Sequence, residues 1–115
     1  MVSATLLQDG LVVFSKRACP TCVLIEGEMR RAAREVRDFQ IVSQDDPQFP
    51  SGVAAIVDDR ALDLSWLNSI ESMPTLIRYA QGREVERVVG WDRDGWQRLT
   101  GIADLGAQLP ALRPG

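Results

Sequence analysis

Apolar residues run unbroken through Leu11-Val12-Val13-Phe14, recur at intervals of three and four from Val23 to Val36, and cluster again around Ile41-Val42. The first run does not alternate, which is the pattern of a strand covered on both faces. A buried strand is therefore expected over residues 11–15, behind a turn at Asp9-Gly10. Val23, Ile25, Met29, Ala32, Ala33 and Val36 share one face of an amphipathic helix reaching from Pro20 to about Val36. Pro20 suits its first turn, where a missing N–H costs nothing. Glu26 and Arg30 stand one turn apart as an ion pair, and Arg30, Arg31, Arg34 and Arg37 crowd the C-terminal half, the favourable end for cations. Asp38 to Ser43 reads as a second strand, closed by Asp45-Asp46-Pro47 because proline cannot continue a central ladder.

The pattern weakens over residues 48–72. Val53, Ala54, Ile56 and Val57 suggest a short helix, and Asp63 to Ile70 a second one with Asp63 as N-cap. Asp58-Asp59-Arg60 forms the polar connection between them. Thr75–Tyr79 and Glu84–Val89 are two strands joined through Gln81-Gly82, a link short enough to require an antiparallel hairpin. Asp94 and Gln97 have the spacing of a capping box before a last helix carrying Trp96, Leu99, Ile102 and Ala103, with Gly101 as its weak point. Residues 1–9 read as a lead-in and 104–115 as a thin, linker-like tail. The order strand, helix, strand, helices, strand, strand, helix makes the first pair parallel through a crossover and the last pair an antiparallel hairpin. This is an α/β fold, a four-stranded mixed sheet flanked by helices on both faces.

Composition narrows the class. At 115 residues the chain is one domain on length, 1–115, large enough to bury a core without staples. With 45% hydrophobic and 25% charged residues and a net charge of −3, it has neither a basic footprint for nucleic acid nor a polybasic membrane contact. No apolar run is long enough to span a membrane, and the N-terminus lacks the pattern of a signal peptide. A monomer in the cytoplasm is expected. Histidine is absent, which removes Ser-His-Asp and Cys-His nucleophile pairs and most transition-metal sites.

The only two cysteines stand at Cys19-Pro20-Thr21-Cys22, one helical turn apart. A strand that feeds two cysteines into the first turn of a helix is an arrangement suited to redox chemistry. Unpaired N–H groups and the positive end of the helix dipole favour a thiolate on the outer cysteine, Cys19, and Lys16 and Arg17 precede it. In a reducing compartment such a pair is catalytic or metal-binding more often than a structural staple.

Cys19-Pro20-Thr21-Cys22 after a strand, with Met73-Pro74-Thr75 opening the third strand about fifty residues further on, resembles the thioredoxin-like superfamily. Gly82 in the hairpin and Gly90 after the fourth strand match in position, so the resemblance covers roughly residues 10 to 103. It implies a thioredoxin-like fold with a cis Met73–Pro74 bond against the sulfurs and a Met73 backbone free to pair with an extended substrate. Departures are visible. Ala18 replaces the tryptophan usual before the pair, and the buried aspartate that accepts the second thiol's proton falls on Val13. Glu26 or water is then the candidate acceptor. Proline directly after the first cysteine looks like glutaredoxins, with Gly90-Trp91-Asp92 in the corresponding region but no clear glutathione signature. Residues 48–72 are about ten longer than in a minimal thioredoxin and are expected near the active-site face.

The resemblance implies a thiol–disulfide oxidoreductase. Cys19 is the exposed nucleophile and Cys22 the buried resolving thiol. Pro20, Thr21, Met73, Pro74, Thr75, Gly90 and Trp91 are motif and substrate-contact residues, with Thr21 a candidate donor to the sulfur. Trp91 is placed either at the rim or in packing, Trp96 in the core, and Trp66 in either core or recognition. The redox-active Cys19–Cys22 disulfide is the sole redox group, with no cofactor and no metal. Partners are a disulfide-containing protein and an upstream reductase, in an electron-transport role. Competing readings are a zinc cluster shared between two subunits, a binding or scaffold module, and an electron-delivering domain of a longer protein.

Overall fold

The computed structural model describes residues 8–115. Most of the lead-in, residues 1–7, lies outside the described residues. The order is β1 (Gly10–Ser15), α1 (Pro20–Leu24), α2 (Glu26–Glu35), β2 (Phe39–Ser43), β3 (Ile56–Asp58), α3 (Asp63–Leu67), β4 (Thr75–Ala80), β5 (Arg83–Val89), β6 (Trp91–Asp92), α4 (Arg93–Thr100) and β7 (Leu112–Arg113). The main sheet has five strands in the order β3-β2-β1-β4-β5, and β6 and β7 form a separate two-stranded ladder. β1 pairs parallel with β2 and antiparallel with β4, which places the first apolar run at the centre. Leu11 to Phe14 are all at most 2% exposed. Successive strand side chains point to opposite faces, so their common burial means that both faces of the sheet are covered.

Ile25, Met29 and Ala32 supply the buried stripe of the crossover, as the periodicity requires. The helix is not continuous, however. Ile25 leaves helical geometry (φ −101°, ψ 18°), so a short α1 carrying the cysteines is set off from α2. The hairpin turn places Gln81 and Gly82 both at positive φ, the geometry whose twist matches two antiparallel strands. Asp9 locks this turn by accepting from the N–H groups of Gln81 and Gly82.

Three expectations change. Ile56 and Val57 lie in the edge strand β3, parallel to β2 with Ile41 opposite Ile56, where a short helix was expected. This raises the main sheet from four strands to five. Asp63 is inside α3 and does not cap it. Leu62 holds the cap position without a side-chain bond, and the first-turn N–H groups are taken by Asp59, 3% exposed, whose carboxylate accepts from Leu64 N, Ser65 N and Ser65 Oγ at 2.6–2.9 Å. α4 is capped by Asp92, which accepts from Gly95 N, where Asp94 was expected, and Gly101 is its left-handed C-cap.

The tail is packed rather than linker-like. Leu105 is fully buried, and β7 pairs with β6 (Trp91 opposite Arg113, Asp92 opposite Leu112). Trp91 donates its indole N–H to Pro110 O at 2.8 Å, and Arg93 holds Leu109 O at 2.9 Å.

Candidate active site

The turn from β1 into α1 is held from outside by Asp45. Its carboxylate accepts from Arg17 N (2.8 Å) and Ala18 N (3.0 Å), while Asp46 pairs with the Arg17 guanidinium at 3.0 Å. Desolvation works against charge on Asp45, but the N–H groups of Arg17, Ala18 and Asp46 outweigh it and hold the carboxyl below its ordinary range. The clamp sets the backbone that delivers Cys19 as N-cap of α1. There Cys19 Sγ accepts from Cys22 N at 3.2 Å, and its thiol donates to Met73 O at 3.3 Å.

Cys22 lies one turn on, fully buried and unbridged to Cys19. Burial pushes its thiol far up from the ordinary value, and its hydrogen bond with Cys19 adds to this. The backbone and charge of Lys16 act in the opposite direction. Val13, the position of the expected carboxylate, is a fully buried core residue. Glu26, the candidate replacement, is engaged elsewhere: it accepts from Ser51 N and Ser51 Oγ and pairs with Arg30 at 3.5 Å.

The Met73–Pro74 peptide bond is cis, as is Phe49–Pro50, which no motif in the chain marks. Thr75, 1% exposed, donates to Ser72 O at 2.7 Å and ties down the approach to β4. Gly90 donates its N–H to Pro74 O at 2.7 Å. Cys19, Cys22, Pro20, Thr21, Met73, Pro74 and Gly90 thus converge on one end of the central strands. A cleft of about 340 Å³ opens there between Lys16, Ala18, Cys19 and Pro20 on one side and Met73 and Gly115 on the other. Ile70 and Glu71 line this cleft and also a neighbouring one beside Trp66 and Leu67, so the 48–72 segment reaches the site's edge. Trp66 is 84% exposed and is no part of the core.

Three side chains depart from their expected places. Cys19 is only 5% exposed rather than open to solvent. Thr21 donates to Pro114 O at 2.7 Å rather than to a sulfur. Trp91 is 1% exposed and packs on Trp96 with ring centroids 5.4 Å apart, beneath the tail rather than at a rim. For Thr21 and Trp91 the cause is the C-terminal segment, whose Pro114 and Pro110 carbonyls they hold and which the residue pattern marks as a loose tail. Asp45 was legible only as a strand stop, since nothing local signals a carboxylate reaching back to Arg17 and Ala18. Among the described residues no group of three His, Cys, Asp or Glu could hold a metal ion, and no helix is long and apolar enough to cross a membrane.

A scan against protein-family models gives no match, and neither does a comparison with curated proteins. Solved structures do match. The pneumococcal exposed lipoprotein thioredoxin of Streptococcus pneumoniae superposes with a TM-score of 0.61 at 15% identity, over 86% of this chain and 90% of its own. A thioredoxin of Malassezia sympodialis gives 0.54 at 20% identity, over 83% and 76%. The chain has a thioredoxin-like fold. A secreted Mycobacterium tuberculosis disulfide oxidoreductase shares it as well, with a TM-score of 0.54 at 15% identity over 73% and 72%. Within this thioredoxin-like fold, the two cysteines and the Met73–Pro74 bond meet at the end of β1 and the start of β4.

Proposed function

We propose that the protein is a dithiol–disulfide oxidoreductase acting on a disulfide-bearing polypeptide. The observation that carries this reading is the position of Cys19 Sγ. It lies at the start of α1, within hydrogen-bonding distance of both Cys22 N and the carbonyl of Met73.

In the forward reaction the Cys19 thiolate attacks one sulfur of the substrate disulfide. A Cys19–substrate bond forms and the other substrate sulfur leaves as a thiolate. Cys22, having lost its proton, attacks Cys19 Sγ, closing the Cys19–Cys22 disulfide and releasing the second substrate thiolate. Two electrons pass from the protein to the substrate, and an upstream reductase returns them. The pair itself is the redox group, and the reaction needs no other cofactor. Pro20 shapes the first turn of α1. The Met73 main chain, beside Pro74 and Thr75, is the edge on which an extended substrate pairs, and Gly90 braces Pro74 from behind.

Such a reductase-fed dithiol belongs in a reducing compartment, hence the cytoplasm. The opposite direction, oxidation of substrate thiols, is the reading for an exported protein, and the reduction potential separates the two. A value near about −270 mV marks a reductant and one near about −120 mV an oxidant. The chemistry itself is tested with two variants. Cys19→Ser abolishes reduction of a model disulfide, whereas Cys22→Ser accumulates mixed disulfides with its partners that reductant releases. Both variants turning over like the parent protein would sink the assignment.

A further inference from the structure

Beyond β7 the chain crosses the candidate site. Pro114 O accepts from Thr21 Oγ1, a buried hydroxyl between the two cysteines, at 2.7 Å. A Cβ on Gly90 would stand 3.1 Å from Arg113 O, 3.3 Å from Pro114 Cα and 3.5 Å from Gly115 N, so the segment runs directly over that backbone. Gly115 lies against the Met73 main chain. A Cβ there would fall inside the Met73 carbonyl group, and only 3.2 Å from Met73 N. That same Met73 carbonyl receives the Cys19 thiol. Arg113, Pro114 and Gly115 therefore lie across Thr21, Gly90 and Met73, the surfaces bordering Cys19, which is 5% exposed.

The segment is held from its root, not along its length. Trp91 grips Pro110 O, and β6 pairs with β7 through Asp92 and Leu112. Past Arg113 the side-chain hydrogen bond to it is the one from Thr21, and Pro114 and Gly115 are themselves exposed on their outer side. A segment rooted upstream and held by few bonds past Arg113 can lift there without unfolding the domain.

We infer that Arg113–Gly115 is an internal occupant of the substrate groove, a strap that an incoming polypeptide must displace to reach Cys19. The occupant also defines what the groove takes. It accepts extended main chain, offers a hydroxyl donor from Thr21 to a backbone carbonyl, and has room against Met73 for a glycine-sized residue. The substrate class is accordingly a disulfide in an extended segment with a small residue beside the reacting cysteine. This inference rests on Cys19 being the reacting thiol.

The test is the rate at which iodoacetamide alkylates Cys19 in the full chain carrying Cys22→Ser, with and without Gly115→Val. A valine side chain cannot occupy the space against Met73, so residues 114–115 lift. Alkylation then accelerates by roughly five- to tenfold, the size expected for freeing one hydrogen-bonded contact. Far-ultraviolet circular dichroism confirms that the variant is folded. Should the variant not fold, the same comparison is made with Gly115→Ala, whose single methyl group meets the same carbonyl. A folded variant alkylated within twofold of the parent overturns the strap. Turnover of a model protein disulfide by the chain with both cysteines is scored separately. Faster alkylation without turnover in any form keeps the strap and removes the oxidoreductase. Turnover with unchanged alkylation does the reverse.

Discussion

Cys22 is fully buried in the core, as is Val13, and the consequences fall on the second chemical step. A fully buried thiol whose pKa is raised by burial is a poor nucleophile until something draws off its proton. Val13 offers no acceptor, and the carboxylate of Glu26 is spent on Ser51 and Arg30. What favours the Cys22 anion is Lys16, through its backbone and its charge. Replacing Lys16 with glutamine removes the charge and keeps the backbone, so resolution of the mixed disulfide slows while its formation by Cys19 is less affected. Acid-quenched time courses with a model protein disulfide should show the mixed disulfide accumulating to a higher level in Lys16→Gln. An unchanged level would mean that the Lys16 charge has no part in resolution.

At the scale of elements, α3 shows how a short helix survives. Five residues cannot sustain a helix on propensity alone, since nucleation is unfavourable and packing must compensate. Asp59 does so with three short hydrogen bonds to Leu64 and Ser65, and Asn68 ties the far end to Tyr79 at 2.6 Å. Asp59→Ala leaves buried donors unsatisfied and should lower the unfolding free energy by about 1–3 kcal/mol. Urea denaturation followed by circular dichroism measures it, and a loss under about 0.5 kcal/mol would show that Asp59 is dispensable.

The same element explains what could and could not be read in the chain. β1, the crossover helix and the hairpin carry their periodicity in their own residues, so they were legible. β3 is three residues long, too short to show a period of two, and exists because Ile41 and Val42 offer it an edge. Asp59 takes the first-turn N–H groups of a helix whose first residue, Asp63, is the better local candidate. The break at Ile25 leaves the apolar spacing intact and so leaves no trace in the pattern. The cysteine pair and Met73–Pro74 were legible as motifs. The segment covering them was not, because Pro110 and Pro114 look like a linker until Trp91 and Thr21 are seen to hold their carbonyls.

For the molecule as a whole, the absence of histidine shapes the pH dependence of stability. Asp45, Asp46, Asp58 and Asp104 all have carboxyls held below their ordinary value of 3.8. At Asp46 the leading cause is the Gln48 N–H, followed by Arg17. At Asp58 it is the Arg60 side chain, and at Asp104 the Arg31 side chain. A depressed carboxyl stabilises the folded state fully above its unfolded pKa, and the contribution is lost as pH falls through the folded one. These groups are mostly exposed, so each contributes modestly and salt screens it. The alkaline side works with the opposite sign. Burial, aided by the charge of Glu84, raises Tyr79 from 10.0 to about 12, and burial raises Cys22 as well. These groups favour folding while protonated, and their contribution disappears as pH climbs past their ordinary values. Between these limbs no side chain with an ordinary pKa near neutrality is available to titrate. The urea midpoint of the reduced protein should therefore fall below about pH 4 and fall again above about pH 9. A midpoint that stays level to about pH 11 would show that the fold holds neither Tyr79 nor Cys22 protonated.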